Sequence, residues 1–261
     1  MDVLTPRTLD EALRLRAERP EAVPIQGGTD VMVDLNFDRA RPGALLNLNE
    51  VGELRGWTRD NGTIWLGSGL TYAEAMEPGL AELLPALAEA SRTVGGPQIR
   101  NRGTIGGNLG TSSPAGDALP PLLVCGAVVK VASVRSDRQL PLQEFVTGPK
   151  RNVLAADELI LGVSIQVRES RQAFMKVGPR NAMVIAVVSL ALRVDDGELC
   201  AAFGSAGPVP TVVRASRDEA GAFPTRVAEA ASPIDDVRGT AAYRRHALRV
   251  LTRRALERCL A

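Results

Sequence analysis

The stretch from Thr93 to Asp117 constrains this chain more than any other. It reads Thr-Val-Gly-Gly-Pro-Gln-Ile-Arg-Asn-Arg-Gly-Thr-Ile-Gly-Gly-Asn, then Leu-Gly-Thr-Ser-Ser-Pro-Ala-Gly-Asp. Gly95, Gly96, Gly103, Gly106, Gly107, Gly110 and Gly116 alternate with Thr104, Asn108, Thr111, Ser112 and Ser113. Glycine permits positive φ and a close approach of backbone to a neighbour. Consecutive amides can then form an anion-binding concavity, with hydroxyls and an Asn amide supplying further hydrogen bonds. So few side chains contribute little to a core, and a ligand lying against the backbone accounts for the glycines. The same residues are also plain turn formers, so a long surface loop is the competing reading. A second segment, Pro24-Ile-Gln-Gly-Gly-Thr-Asp-Val31, again offers paired glycines, a hydroxyl and a carboxylate after a short apolar run. Two such loops can clamp an extended diphosphate from both sides.

In the order Gln26-Gly-Gly-Thr-Asp30, Thr104-Ile-Gly-Gly-Asn108 and Ser113-Pro-Ala-Gly-Asp117, these motifs resemble the FAD-binding medium subunit of molybdenum hydroxylases, the xanthine, carbon monoxide and aldehyde dehydrogenase-type enzymes. The resemblance extends over essentially the whole chain. It implies an α+β protein: a two-part FAD-binding domain of the vanillyl-alcohol-oxidase type, then a C-terminal domain with a small antiparallel sheet and helices. The corresponding units are 1–54, 55–168 and 169–261.

The cofactor-binding residues it implies begin at the first loop. The backbone amides of Gly27, Gly28, Thr29 and Asp30, flanked by Ile25, Gln26 and Val31, are expected to meet the FAD diphosphate from one side. Those of Thr104, Ile105, Gly106, Gly107 and Asn108 are expected to meet it from the other. Thr111 and Asp117 would bind ribityl or ribose hydroxyls, and the backbone near Ile160 would touch the adenine or ring edge. Lys176 lies where the family places a lysine close to the flavin. A cation there stabilises negative charge on the reduced ring. Val94 stands where some relatives carry an aromatic that covers the ring. The chain holds only two Trp, two Tyr and five Phe. Met183 and Ile185 are alternative ring neighbours, each with a competing reading as core.

The resemblance also implies partners. Substrate would be hydroxylated at molybdopterin on a separate large subunit, with [2Fe-2S] clusters on a small one, arranged as a dimer of heterotrimers. Electrons would reach FAD here and pass to NAD+ or another acceptor. Cys125, Cys200 and Cys259 are isolated, which argues against a disulfide framework, a zinc site or an iron–sulfur cluster within this chain.

Other features narrow the choice. A net charge of +1 gives no electrostatic reason to expect nucleic acid or an anionic membrane. The N-terminus lacks a secretory pattern, and the apolar run Ala182 to Leu192 is too short to span a bilayer, so a cytoplasmic protein is expected. Lysine occurs only at Lys130, Lys150 and Lys176. His246, the single histidine, is expected at a surface or interface, with Arg245, Arg249 and Arg253 forming a solvated row beside it. Two other functions compete. A free-standing flavin oxidase or reductase requires a general base over the ring, and none stands out. A non-flavin nucleotide module is disfavoured, because neither a P-loop nor a strand-borne Gly-x-Gly-x-x-Gly is present.

Element signals run along the chain. Thr8-Leu-Asp-Glu11 and Thr71-Tyr-Ala-Glu74 are capping boxes. After the first, Leu9, Ala12, Leu13 and Arg16 fall at helical spacing, ending before Pro20. Helices are also expected at Val31–Leu35 and Thr240–Leu260, and Leu80, Leu83, Leu84, Leu87 and Ala88 form one helical face. Asp117 is placed as the N-cap of a helix ending at Gly126. Ala22–Ile25, Ala44–Leu48, Thr63–Gly67, Ala127–Val134, Glu158–Val167, Ala173–Val177 and Glu198–Phe203 read as strands. Thr147–Pro149 reads as a turn. Ala182–Val194 is a strand or a buried helix, since periodicity does not separate the two for an apolar run. Asp195-Asp-Gly197 marks a hairpin turn.

Overall fold

The computed structural model describes all 261 residues. Its N-terminal part joins β1 (Asp2–Leu4), α1 (Leu9–Glu18), β2 (Val23–Ile25), α2 (Val31–Asn36) and β3 (Ala44–Asn47). The three strands form a parallel sheet in the order β1-β3-β2. Helix α1 starts because Thr8 Oγ1 accepts the Glu11 amide at 3.2 Å. The capping box is half closed, for Glu11 takes the Arg7 amide rather than that of Thr8. Ala12, Leu13, Leu46 and Leu54 pack here against Leu159 and Leu161, so this part is seated on the next.

The middle part carries β4 (Trp57–Asp60), β5 (Thr63–Gly67), α3 (Pro78–Leu83), α4 (Pro85–Arg92), α5 (Pro97–Arg100), α6 (Ile105–Thr111) and α7 (Leu119–Val124). It continues through β6 (Val128–Ala132), β7 (Asp137–Pro141), α8 (Leu142–Phe145), the ribbon β8 (Val146–Gly148) and β9 (Arg151–Asn152), and β10 (Leu159–Gln166). The antiparallel sheet runs β4-β5-β10-β6-β7. The apolar face expected from Leu80 to Ala88 is split between α3 and α4. Pro85 pushes Leu84 out of the helical region, to φ −130° and ψ 62°. The Thr71 box closes in both directions, though over a single 3-10 turn. The expected turn at Thr147–Pro149 lies in the β8–β9 ribbon, with Lys150 at φ 56°. Asp117 is not the cap of α7. That position falls to Ala118, without a side-chain bond, while Asp117 turns inward.

The C-terminal part is the antiparallel sheet β11 (Arg171–Val177), β12 (Val188–Val194), β13 (Glu198–Gly204) and β14 (Thr211–Ser216), covered by α9 (Phe223–Glu229) and α10 (Ala241–Leu260). One face, with Phe174, Ala191, Cys200 and Ala202, joins the middle core; the other, with Leu190, Leu192, Ala201 and Phe203, lies under Phe223 and Leu248. The run expected from Ala182 is a strand only from Val188. Every residue of β12 is buried, which is why no alternation marked it. Ala182 and Met183 instead lie in an exposed loop, Met183 at φ 50°. The hairpin turn forms as expected, with Asp195 Oδ1 accepting the Glu198 amide at 2.9 Å. His246, Arg245, Arg249 and Arg253 are exposed on α10. Arg258, on the same helix, pairs with Glu89 of α4 and ties the two parts together.

Candidate functional site

Beyond β2 the chain crosses through Gln26–Asp30 into α2. The amides of Gly27, Gly28, Thr29 and Asp30 donate to no group in the chain. Gly28 has φ +74°, which a β-carbon would strain. At Gly27 the reason for glycine is internal: an added Cβ would sit 2.1 Å from the Arg102 carbonyl oxygen. Arg102 also donates from Nη2 to Gln26 O at 3.3 Å, fastening this loop to the turn before α6.

The second glycine segment differs from its expectation. It is the first turns of α6, and most of its amides are spent within the protein. Ile105 donates to Leu70 O, Gly106 to Ser68 O and Asn108 to Thr104 O. The Gly107 amide is capped by Thr104 Oγ1 at 3.0 Å. Most of the glycines here serve the protein's own packing. A Cβ at Gly106 would meet Ser68 at 2.5 Å, and one at Gly103 the Tyr72 ring at 3.0 Å. Gly107 and Gly110 are the open positions, with only Thr104 Oγ1 at 3.1 Å and Ile160 Cδ1 at 3.8 Å near an added Cβ.

Between the two segments lies a cleft of about 340 Å³. It brings together Ile25, Gln26, Gly27, Gly28, Thr29, Asp30 and Val31 with Thr104, Gly106, Gly107, Asn108, Thr111 and Ile160. Thr111 Oγ1 donates to Asp30 Oδ2 at 2.7 Å and ties the two walls. Ile105 is 0% exposed and faces the core instead. Buried in the walls, Gln26 Nε2, Ser68 Oγ and Asn108 Oδ1 have no hydrogen-bond partner. Such atoms are costly to leave unpaired, so a polar ligand fits the cleft better than emptiness.

Val94, Asp117 and Lys176 lie outside these walls, and Asp117 and Lys176 form a second cluster with the carbonyl of Thr93, the residue before Val94. Lys176 Nζ reaches Asp117 Oδ2 at 2.5 Å and Thr93 O at 3.3 Å, with both charged side chains under a tenth exposed. Burial pushes the Asp117 carboxyl above its ordinary value, and the Lys176 charge pulls against it. Asp117 Oδ1 is left without a partner. Val94 is half-buried against the main core, whereas Met183 and Ile185 are exposed. Asn108 links the clusters, since its amide lies against Gly116 next to Asp117.

Arg16, Ser68, Tyr72, Leu154, Glu158 and Leu159 also line the cleft, and none of them is among the binding residues expected from sequence. Burial, then the charges of Asp117 and Asp30, raise the Tyr72 phenol, which keeps it a neutral donor. Arg16 carried a readable signal: an arginine on the apolar stripe of α1.

A cleft with unspent amides along one wall suits a phosphate-bearing cofactor, and sequence comparison identifies the class as a flavin-binding oxidoreductase subunit. Residues 1–166 match the family model for the FAD binding domain in molybdopterin dehydrogenase. The chain is 31% identical over 274 residues to the xanthine dehydrogenase FAD-binding subunit of Escherichia coli O157:H7, covering 97% of this chain and 94% of that one. It is 35% identical over 209 residues to the nicotinate dehydrogenase FAD-subunit of Eubacterium barkeri, covering 76% and 71%. In fold it superposes on a chain of carbon monoxide dehydrogenase from Hydrogenophaga pseudoflava with a TM-score of 0.92 at 22% identity, covering 100% and 97%. The chain therefore belongs to the FAD-binding medium subunits of the molybdenum hydroxylases, and FAD is its cofactor. The donor set fits that group: unspent amides for a diphosphate, orphaned polar atoms in the walls, and a free carboxylate oxygen at Asp117 for a hydroxyl.

Proposed function

We propose that this chain is the electron-transfer subunit of a molybdopterin-dependent hydroxylase complex and holds FAD between the Gln26–Asp30 loop and α6. The observation that carries the reading is the run of four unspent amides, Gly27 to Asp30, in residues that line the same cleft as the open position Gly107. Successive amides of this kind take up a diphosphate without a cationic side chain. In this reading Asn108 extends the contact toward Gly116, and Thr111 and Asp117 accept or donate to ribityl and ribose hydroxyls. The backbone at Ile160 meets the adenine side or a ring edge. Val94 and Lys176 belong to the ring end, where Asp117 and Thr93 O hold the ammonium in place. FAD supplies the electron and hydride chemistry when bound, and the protein positions it and sets the field around it. A fixed cation at the ring end favours the reduced, more negative cofactor.

The partners in this proposal are a small subunit with [2Fe-2S] clusters and a large molybdopterin subunit, in a cytoplasmic dimer of heterotrimers. Electrons leave for NAD+ or another acceptor. Relatives named as subunits of dehydrogenases support it. The division at 54/55 and 168/169 is proposed with it, supported by three apolar clusters that largely follow those parts. No helix is long and apolar enough to cross a membrane.

The test is the visible spectrum of the copurified complex, repeated after its subunits are separated. Flavin bands remaining with this chain, while iron–sulfur absorbance leaves with a smaller one, support the proposal. A colourless chain that takes up no added FAD ends it.

A further inference from the structure

The cleft extends well past the diphosphate loops. Strand β2 forms part of its wall, with Val23 at one end and Gly27 beyond the other. At about 3.3 Å per residue the wall is roughly 13 Å long, room for a nucleoside attached to a diphosphate. The far end is lined by Arg16, Val23, Leu48, Leu154, Glu158 and Leu159. It is apolar apart from two side chains, and only one of them is unspent. Glu158 accepts two bonds from Arg138 at 2.8 Å and one from the Ala155 amide at 2.8 Å. Arg16 uses Nη1 alone, donating to Ala22 O at 2.5 Å and Pro20 O at 3.1 Å. Its Nε is buried without an acceptor, and Nη2 makes no bond. Arg16 is thus anchored by one nitrogen at the end of an apolar slot with its remaining donors unused. Apolar walls and a guanidinium suit an aromatic heterocycle carrying ring-nitrogen acceptors.

We infer that Arg16 makes the cleft select a dinucleotide flavin over a mononucleotide, by presenting its guanidinium to the purine half. The inference rests on the flavin reading proposed above. FMN ends at its phosphate and never reaches Arg16, so the residue acts on one ligand and not the other.

The test titrates the full chain, freed of flavin, with FAD and with FMN by flavin fluorescence, and with ADP by calorimetry. Arg16→Ala is expected to weaken FAD and ADP by about tenfold or more, the effect of losing one charged hydrogen bond. FMN binding is expected to stay unchanged. Arg16→Gln and Arg16→Lys keep a donor within reach of the Ala22 carbonyl and carry the decision if the alanine variant does not fold. Any of the three that folds and keeps the wild-type ratio of FAD to FMN affinity overturns the inference. A wild-type chain that binds neither flavin overturns the flavin reading itself, a distinct outcome.

Discussion

Lys176 Nζ lies 2.5 Å from Asp117 Oδ2, an ion pair that fastens β11 to the turn before α7 with both side chains almost out of water. Removing one partner strands the other charge in the interior. Lys176→Met is therefore expected to cost about 3–5 kcal/mol at neutral pH. The deficit should depend on pH in a definite direction. A carboxyl whose folded pKa lies above its unfolded value stabilises the fold at low pH and loses that contribution as pH rises through the folded value. Burial raises Asp117, and removing Lys176 takes away the charge that opposes this rise. In Lys176→Met the deficit should thus shrink as the carboxyl takes up a proton in acid. Urea unfolding of both proteins across the pH range measures it, and a pH-independent deficit would contradict the assignment.

Two glycines of similar appearance should behave oppositely. Gly107→Val adds a side chain where only Thr104 Oγ1 is near, at 3.1 Å from the new Cβ, so the fold should survive within about 1 kcal/mol. The branched side chain would occupy the cleft and expel FAD. Gly27→Ala drives a methyl to within 2.1 Å of Arg102 O and should separate the loop from its support. The expected pair is a stable colourless protein for Gly107→Val and a lowered melting temperature for Gly27→Ala. Absorbance and thermal unfolding decide it, and full FAD occupancy in Gly107→Val refutes the placement.

The contrast explains how far the site could be read beforehand. Glycine spacing located both walls of the cleft but left open what each glycine faces. Gly27, Gly103 and Gly106 face the protein; Gly107 and Gly110 face the cleft. Nor could the sequence reveal that the amides of Ile105, Gly106 and Asn108 are taken by Leu70, Ser68 and Thr104, because two of these acceptors lie on a segment more than thirty residues earlier. Asp117 looked like a helix cap because prolines follow it. Its true partner, Lys176, comes from a strand 59 residues on. In β12 burial on both faces erased the period that separates strand from helix.

Asp236 offers a second pH signature, opposite in sign. Burial alone would raise its carboxyl, but Arg238 and then Arg244 outweigh it and bring the pKa down to about 2. The buried Arg244 also donates to Val187 O and Ser205 O, each at 2.6 Å. A depressed carboxyl stabilises the fold above its unfolded pKa of 3.8 and loses that contribution as pH falls toward 2. Asp236→Asn should lower stability at neutral pH by about 1–2 kcal/mol, with the difference from wild type vanishing in strong acid. Unfolding curves on either side of this window provide the check. A difference that persists at the lowest pH would assign the effect to packing.

The Thr111–Asp30 bond at 2.7 Å is the direct tie between the loop of free amides and α6. It is solvent-accessible, so its loss in Thr111→Val should change stability by no more than about 1 kcal/mol. Its effect on binding should be larger in proportion. Four amides that bind nothing within the chain depend on the loop's position for their aim, and Asp30 is the last of them. Thr111→Val is therefore expected to weaken FAD several-fold and to speed hydrogen exchange of the Gly27–Asp30 amides. Thr111→Ser keeps the hydroxyl and should restore both. If the valine variant loses FAD while exchange at the loop stays unchanged, Thr111 acts by touching the cofactor rather than by holding the loop.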